Sequence, residues 1–171
     1  TSAHYKALSD ELPEMIRFGM LMTLSSEYND FTWYGRGPHE SYVDRKHDTF
    51  MGVWNGKVED QAFPYYRPQE TGNKMDVRWL TLQNDRGEGI RVDGAQPLSV
   101  SATNNRPEDL DPGMTKKQQH SSDILPHYEV VLCVDLFQRG VGGLQSWGAK
   151  PLDQYRFMDK EYSYSYTIHV N

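Results

Sequence analysis

The residues best equipped for chemistry crowd into one short run, Trp33-Tyr34-Gly35-Arg36-Gly37-Pro38-His39-Glu40-Ser41-Tyr42-Val43-Asp44-Arg45. Glu40 and Asp44 could serve as the acid and base of a glycoside hydrolase, a pair that must flank one bond at about 5 to 9.5 Å. Arg36 and Arg45 lie beside them in the chain. Carboxylates neutralised by guanidinium groups stay ionised and make poor proton donors. The residue types therefore favour an ion-pair network that fixes a loop over an acid–base pair. Elsewhere, Asp109 and Asp111 fall between Pro107 and Pro112, in sequence that reads as an exposed loop.

Other chemistries have less support. The histidines are His4, His39, His47, His120, His127 and His169, and no two have the i, i+4 spacing of a helical zinc motif. His39 and His47 flank the Asp44-Arg45 pair, where satisfied loop histidines are the plainer reading than metal ligands. There is no Gly-x-Ser-x-Gly elbow for a serine nucleophile. The stretch Arg139-Gly140-Val141-Gly142-Gly143 follows a strand without opening a helix, which argues against a dinucleotide site. It leads into Leu144-Gln145-Ser146-Trp147-Gly148. An indole carried by a glycine-rich loop offers a flat apolar face and one N–H donor, suited to stacking on the C–H face of a sugar. Packing of Trp147 onto its own domain is the other reading, and the residues leave both open. Trp33, Trp54 and Trp79 sit in or near strand-like sequence and read as packing residues. Cys133, the single cysteine, lies in Val130-Val131-Leu132-Cys133-Val134 and reads as a small buried hydrophobe. One thiol excludes an internal disulfide and a cluster of zinc thiolates.

The elements that must position these groups are strands. Ile16, Phe18, Met20, Met22 and Leu24 alternate, as do Leu98, Val100 and Ala102 with Ser99, Ser101 and Thr103. Tyr162, Tyr164, Tyr166, Ile168 and Val170 alternate with Ser163, Ser165, Thr167 and His169 in the cleanest half-buried pattern of the chain. Met75 to Leu82 runs into Asn84-Asp85-Arg86-Gly87-Glu88-Gly89 and re-emerges at Ile90 and Val92, a hairpin signal. Val130 to Phe137 is apolar on both faces except for Asp135 and reads as a strand covered on both sides. A short helix fits only between Glu108 and Gln119, limited by Pro107, Pro112 and Gly113. Short strands separated by turn residues predict an antiparallel β-sandwich. The strand beginning at Ile16 has no earlier partner in this reading, and a bare sheet edge is a hazard. That leads to the expectation either of upstream strands outside this chain or of a sandwich complete in a truncated form.

The 171 residues suit one domain over 1–171, with no repeat or linker to divide it. A formal charge of −6 argues against a phosphate-backbone partner. No apolar run is long enough to cross a bilayer as a helix. The chain opens Thr1-Ser2-Ala3-His4-Tyr5 without an initiating methionine, and the expectation is a piece of a longer protein.

Four blocks, in order, carry a resemblance. Gly37-Pro38-His39-Glu40-Ser41-Tyr42-Val43-Asp44-Arg45 resembles the Gly-Pro-x-Glu-x-Tyr-x-Asp-Arg signature of the C-terminal, small-chain domain of bacterial β-galactosidases, glycoside hydrolase family two. Pro64-Tyr65-Tyr66-Arg67-Pro68-Gln69-Glu70-Thr71-Gly72-Asn73 is similar to that family's Pro-Tyr-x-x-Pro-Gln-Glu-Asn-Gly-Asn block. Asp76-Val77-Arg78-Trp79 follows, and Gly140-Val141-Gly142-Gly143-Leu144-Gln145-Ser146-Trp147-Gly148 resembles Gly-x-Gly-Gly-Asp-Asp-Ser-Trp-Gly. The resemblance implies an all-β fold, an antiparallel sandwich of the galactose mutarotase-like supersandwich type, truncated on its N-terminal side. It implies a retaining enzyme acting on terminal β-D-galactose, with both catalytic glutamates on a barrel domain absent from this chain. No catalytic, metal or cofactor residue is then expected here, while magnesium and sodium belong to the parent enzyme, which could be oligomeric. Trp147, with Ser146 and Gln145, is expected to contact the β-galactoside opposite the barrel. Gly37, Pro38, Glu40, Tyr42, Asp44 and Arg45 are expected to be structural. Two departures stand out: Leu144-Gln145 replaces Asp-Asp, and Thr71 replaces Asn. The competing expectations are a stand-alone carbohydrate-binding sandwich and a purely structural interface domain.

Overall fold

The computed structural model describes residues 1–111, 120–142 and 148–171. Eight antiparallel strands dominate it: β1 (Ser2–Lys6), β2 (Arg17–Ser25), β3 (Asp30–Gly37), β4 (Phe50–Lys57), β5 (Lys74–Gln83), β6 (Gly89–Thr103), β7 (Glu129–Gln138) and β8 (Glu161–Val170). Their order is β1-β8-β6-β5-β3-β4, with β7 also on β6 and β2 on β7.

The sheet forks at β6, and the sequence explains how. Ile90–Gly94 pair with β8, whereas Ser99–Thr103 pair with β7 along the same edge. At the hand-over, Pro97 has no N–H to give a neighbour. The Gln96 side chain stands in for a peptide, donating to the Ser165 carbonyl (3.1 Å) and accepting from the Ser165 N–H (3.3 Å). A side chain on Gly94 would lie 2.5 Å from the Gln96 carbonyl, so the bend requires glycine. Beyond the fork the two branches, β8-β1 and β7-β2, pack face to face. The Tyr164 hydroxyl donates to the Val134 carbonyl (2.9 Å), and the Phe18 ring meets the rings of Tyr162 and Tyr164. Phe31, Trp33, Leu80, Val92, Val100 and Leu132 belong to the apolar core enclosed by the sheet. The fold is the expected all-β sandwich.

Particular strands depart from the periodic reading. β1, which pairs with β8, is too short to show a period and was not anticipated. The inward alternation of β2 begins at Phe18; Ile16 precedes the strand and is 58% exposed, and a bulge with its extra residue on β7 shifts the pairing between Phe18 and Gly19. Pairing of β2 with β7 supplies the neighbour that the sequence reading lacked. Ser99, Ser101 and Thr103 are buried rather than solvated. The segment before β5 covers them: Ser99 Oγ donates to Asn73 Oδ1 (2.8 Å), and Gly72 lies against Thr103. The β5–β6 hairpin and the doubly covered β7 form as read, and Cys133 is buried. Val170 is the exception on β8, exposed at the strand's end. Trp33 is buried, and Trp54 packs against the core. The helix expected over 108–119 is one turn, Pro107–Leu110, within the described residues; 112–119 lie outside them.

Candidate functional site

β3 delivers the opening motif. At its end Gly37 lies under the Trp54 indole, where a Cβ would come within 2.6 Å of Trp54 Cδ1. Past Pro38 the chain doubles back, and Tyr42 and Arg45 exchange backbone hydrogen bonds of 2.9 Å each way. The buried Tyr42 ring sits under the Arg45 guanidinium, 5.1 Å from its centroid. Burial, with Glu70 and Glu40 nearby, holds the Tyr42 phenol well above its ordinary value, so it stays protonated.

Glu40 binds the second block. Its carboxylate accepts from the Gly72 N–H (2.8 Å), Thr71 Oγ1 (3.2 Å) and the Tyr65 hydroxyl, and pairs with Arg45. Arg45 also donates to the Tyr65 oxygen at 2.6 Å. Ser41 reinforces the seam: its N–H donates to the Asn73 carbonyl (2.8 Å), and Asn73 Nδ2 donates to the Ser41 carbonyl (2.8 Å). Thr71, which departs from the family pattern, thus supplies a hydroxyl that accepts from the Phe63 N–H (2.7 Å) and whose single proton has Glu40 (3.2 Å) and the Phe63 carbonyl (3.3 Å) as alternative acceptors.

Asp44 binds the fourth block. Oδ1 accepts from the Val141 N–H (3.1 Å) and Oδ2 from the Gly142 N–H (2.8 Å), across 97 and 98 positions of sequence. Gly140 has to be small here, since a Cβ would lie 2.6 Å from Asp44 Oδ2. Gly142 adopts φ +83°, a conformation open to glycine at little cost. This corrects one expectation. Arg45 neutralises Glu40, but Arg36 pairs with Asp76 (2.6 Å), while Asp44 is held by backbone N–H groups. Gln145, Ser146 and Trp147 lie outside the described residues, which resume at Gly148.

The blocks border an open cleft of about 370 Å³, lined among others by Arg45, Tyr65, Gln69, Glu70, Gln138 and Gly142. Behind it lies a buried ionic group that periodicity could not reveal. Arg17 Nε donates to Asp135 Oδ2 at 2.6 Å, and its Nη1 lies 3.6 Å from Glu70. Burial pushes the Asp135 carboxyl up to about 6, with Arg17 pulling the other way, and raises Glu70 for the same reason. At the rim Glu14 meets Arg139 (2.9 Å), Lys150 (3.2 Å) and Arg156 (2.5 Å). Hydrogen bonds from Arg156 and Lys150 hold it near 2, against the cost of burial. The lone charge in the apolar run of β7 was the only sequence signal for the first cluster; Glu14 had none.

Both motif carboxylates therefore act as hydrogen-bond acceptors that join loops. Among the described residues no three His, Cys, Asp or Glu side chains converge as metal ligands. His39 meets Asp48 at 3.0 Å and His127 meets Asp109 at 2.8 Å.

Fold and site together define a forked β-sandwich whose loops are clasped at one end by two carboxylates of a single motif. The chain belongs to the beta-galactosidase small-chain family, whose pattern matches residues 2–168. It is 37% identical over 163 residues to a beta-galactosidase of Priestia megaterium, covering 95% of this chain and 15% of that protein. It is 36% identical over 149 residues to beta-galactosidase BgaC of Bifidobacterium adolescentis, covering 85% and 14%. A Vibrio cholerae beta-galactosidase is 29% identical over 163 residues, covering 95% and 15%. The chain thus spans about 15% of the length of the relatives it matches.

Proposed function

We propose that this chain is the C-terminal part of a β-galactosidase that hydrolyses terminal non-reducing β-D-galactose residues, and that it forms one wall of the substrate pocket without catalysing alone. The observation that supports this most is the use of Glu40 and Asp44. Glu40 accepts from Gly72, Thr71 and Tyr65 and pairs with Arg45, while Asp44 accepts two backbone N–H groups. Both are engaged in holding loops, which supports a reading in which the acid–base pair of the glycosidase is supplied by another part of the enzyme. What this chain supplies is a loop base and, through Trp147, an apolar face for a galactose ring, with Ser146 and Gln145 as polar neighbours. The magnesium and sodium of the parent enzyme find no ligand cluster among the described residues.

Three measurements test the reading. The isolated chain is expected to leave an aryl β-galactoside intact; turnover by the pure protein would overturn the non-catalytic role. In the complete enzyme Trp147→Ala is expected to weaken substrate binding and lower kcat/KM about five- to tenfold, the scale of one lost aromatic contact of roughly 1 kcal/mol. An unchanged kcat/KM would make Trp147 a packing residue. Calorimetry with galactose and lactose on the isolated chain is expected to show no binding. Millimolar or tighter affinity would favour a self-contained carbohydrate-binding module.

A further inference from the structure

We propose that Asp44 is the positioning residue for the Trp147 segment, acting through the backbone of Val141 and Gly142; the proposal rests on the reading of Trp147 as a substrate contact. The carboxylate grips two consecutive N–H groups, one with each oxygen, at 3.1 and 2.8 Å. Hydrogen bonds to an ionised acceptor are the stronger kind, and a two-point grip sets orientation as well as distance. Gly142 is the last described residue before the segment, and Gly148 the first after it.

The base that Asp44 grips is closed. A Cβ on Gly142 would lie 3.8 Å from the Ala149 carbonyl and 3.9 Å from Pro151 Cγ, so the outgoing and returning stems run side by side. The Gly140 N–H donates to the Tyr155 carbonyl at 3.0 Å, and the Arg139 N–H to the Ile16 carbonyl at 2.7 Å. Glu14 ties the flanks, reaching Arg139 before the segment and Lys150 after it. Lys150 is largely exposed, so that tie is a flexible one. Among the described residues, Asp44 is the carboxylate at the base that binds the backbone of the stem itself. Its own place is set by the paired backbone bonds of Tyr42 and Arg45 and by the Glu40 seam. The spacing of Glu40 and Asp44 in one short motif thus follows from a single turn having to hold two loops at once.

A double-mutant cycle in the complete enzyme tests this, using Asp44→Ala, Trp147→Ala and the double variant with an aryl β-galactoside and with lactose. Asp44→Ala is expected to lower kcat/KM about five- to tenfold, with the same division between KM and kcat as Trp147→Ala. In the Trp147→Ala background it is expected to cost less than twofold. Asp44→Asn, which offers one acceptor oxygen in place of two, is expected to fall between, and it serves where the alanine variant does not fold. Equal losses with and without Trp147, or no loss at all while Trp147→Ala is impaired, would overturn the role of Asp44 alone. An unimpaired Trp147→Ala would overturn the pocket-wall reading and this proposal with it.

Discussion

Asp135 and Glu14 are both carboxylates paired with arginine beside the same cleft, yet folding moves them in opposite directions. Asp135 has one guanidinium at 2.6 Å and almost no solvent, and burial pushes it up to about 6. Glu14 is also largely shielded, but three cations surround it and it falls to about 2. Burial opposes ionisation in both; the number of cationic partners decides which effect wins. The pair teaches that an ion pair in this fold is not by itself a source of stability.

The sharpest test of that difference is Arg17→Ala. It would leave Asp135 and Glu70 without their shared cation and is expected to cost about 3 to 5 kcal/mol in urea unfolding. Arg17→Met with Asp135→Leu, which removes the closest pair together and leaves Glu70, is expected to recover part of the loss. A double variant no more stable than Arg17→Ala would show that the buried pair itself supplies stability. Gly19→Ala attacks the same place from β2: its Cβ would fall 1.8 Å from Asp135 Oδ1 and 2.5 Å from the Asp135 Cα. With backbone in the way, a loss of about 1 to 3 kcal/mol or more is expected by thermal or chemical unfolding.

The pH dependences should have opposite signs. Asp135 has a folded value near 6, above its ordinary 3.8. The unfolded chain therefore ionises first, and this group's contribution to stability falls as pH rises from 3.8 to about 6. Glu14 has a folded value near 2, below its ordinary 4.5; its contribution is complete above 4.5 and is lost as pH falls toward 2. Unfolding midpoints measured from pH 2 to 7 should lose the first trend in Asp135→Asn and the second in Glu14→Gln. The reverse assignment would break the comparison. The smallest effect expected is that of Glu14→Gln at pH 7, about 1 kcal/mol, because two of its partners retain other contacts or ready solvation.

Much of the fold was legible because it rests on local pattern. The alternating tyrosines of β8, the Asn84 turn and the two-sided apolar run of β7 report burial through side-chain order alone. β1 escaped notice because five residues carry little period, and β6 misled because its serines and threonine, polar by type, are covered by a segment from another part of the chain. At the site, the motif itself was evident from its residue types and spacing. Which arginine meets which acid was not: adjacency suggested Arg36 and Arg45 for Glu40 and Asp44, whereas Arg36 turns to Asp76.

The sequence by itself determined an all-β chain and the membership of its blocks in one family. Those properties follow from residue type and short-range spacing. Only the tertiary structure decided that Glu40 and Asp44 serve two different loops, that β6 divides between β7 and β8, and that Arg17 lies against Asp135 from 118 positions away. Such pairings depend on strand register and on which groups lose water together, and the order of residues does not encode either locally.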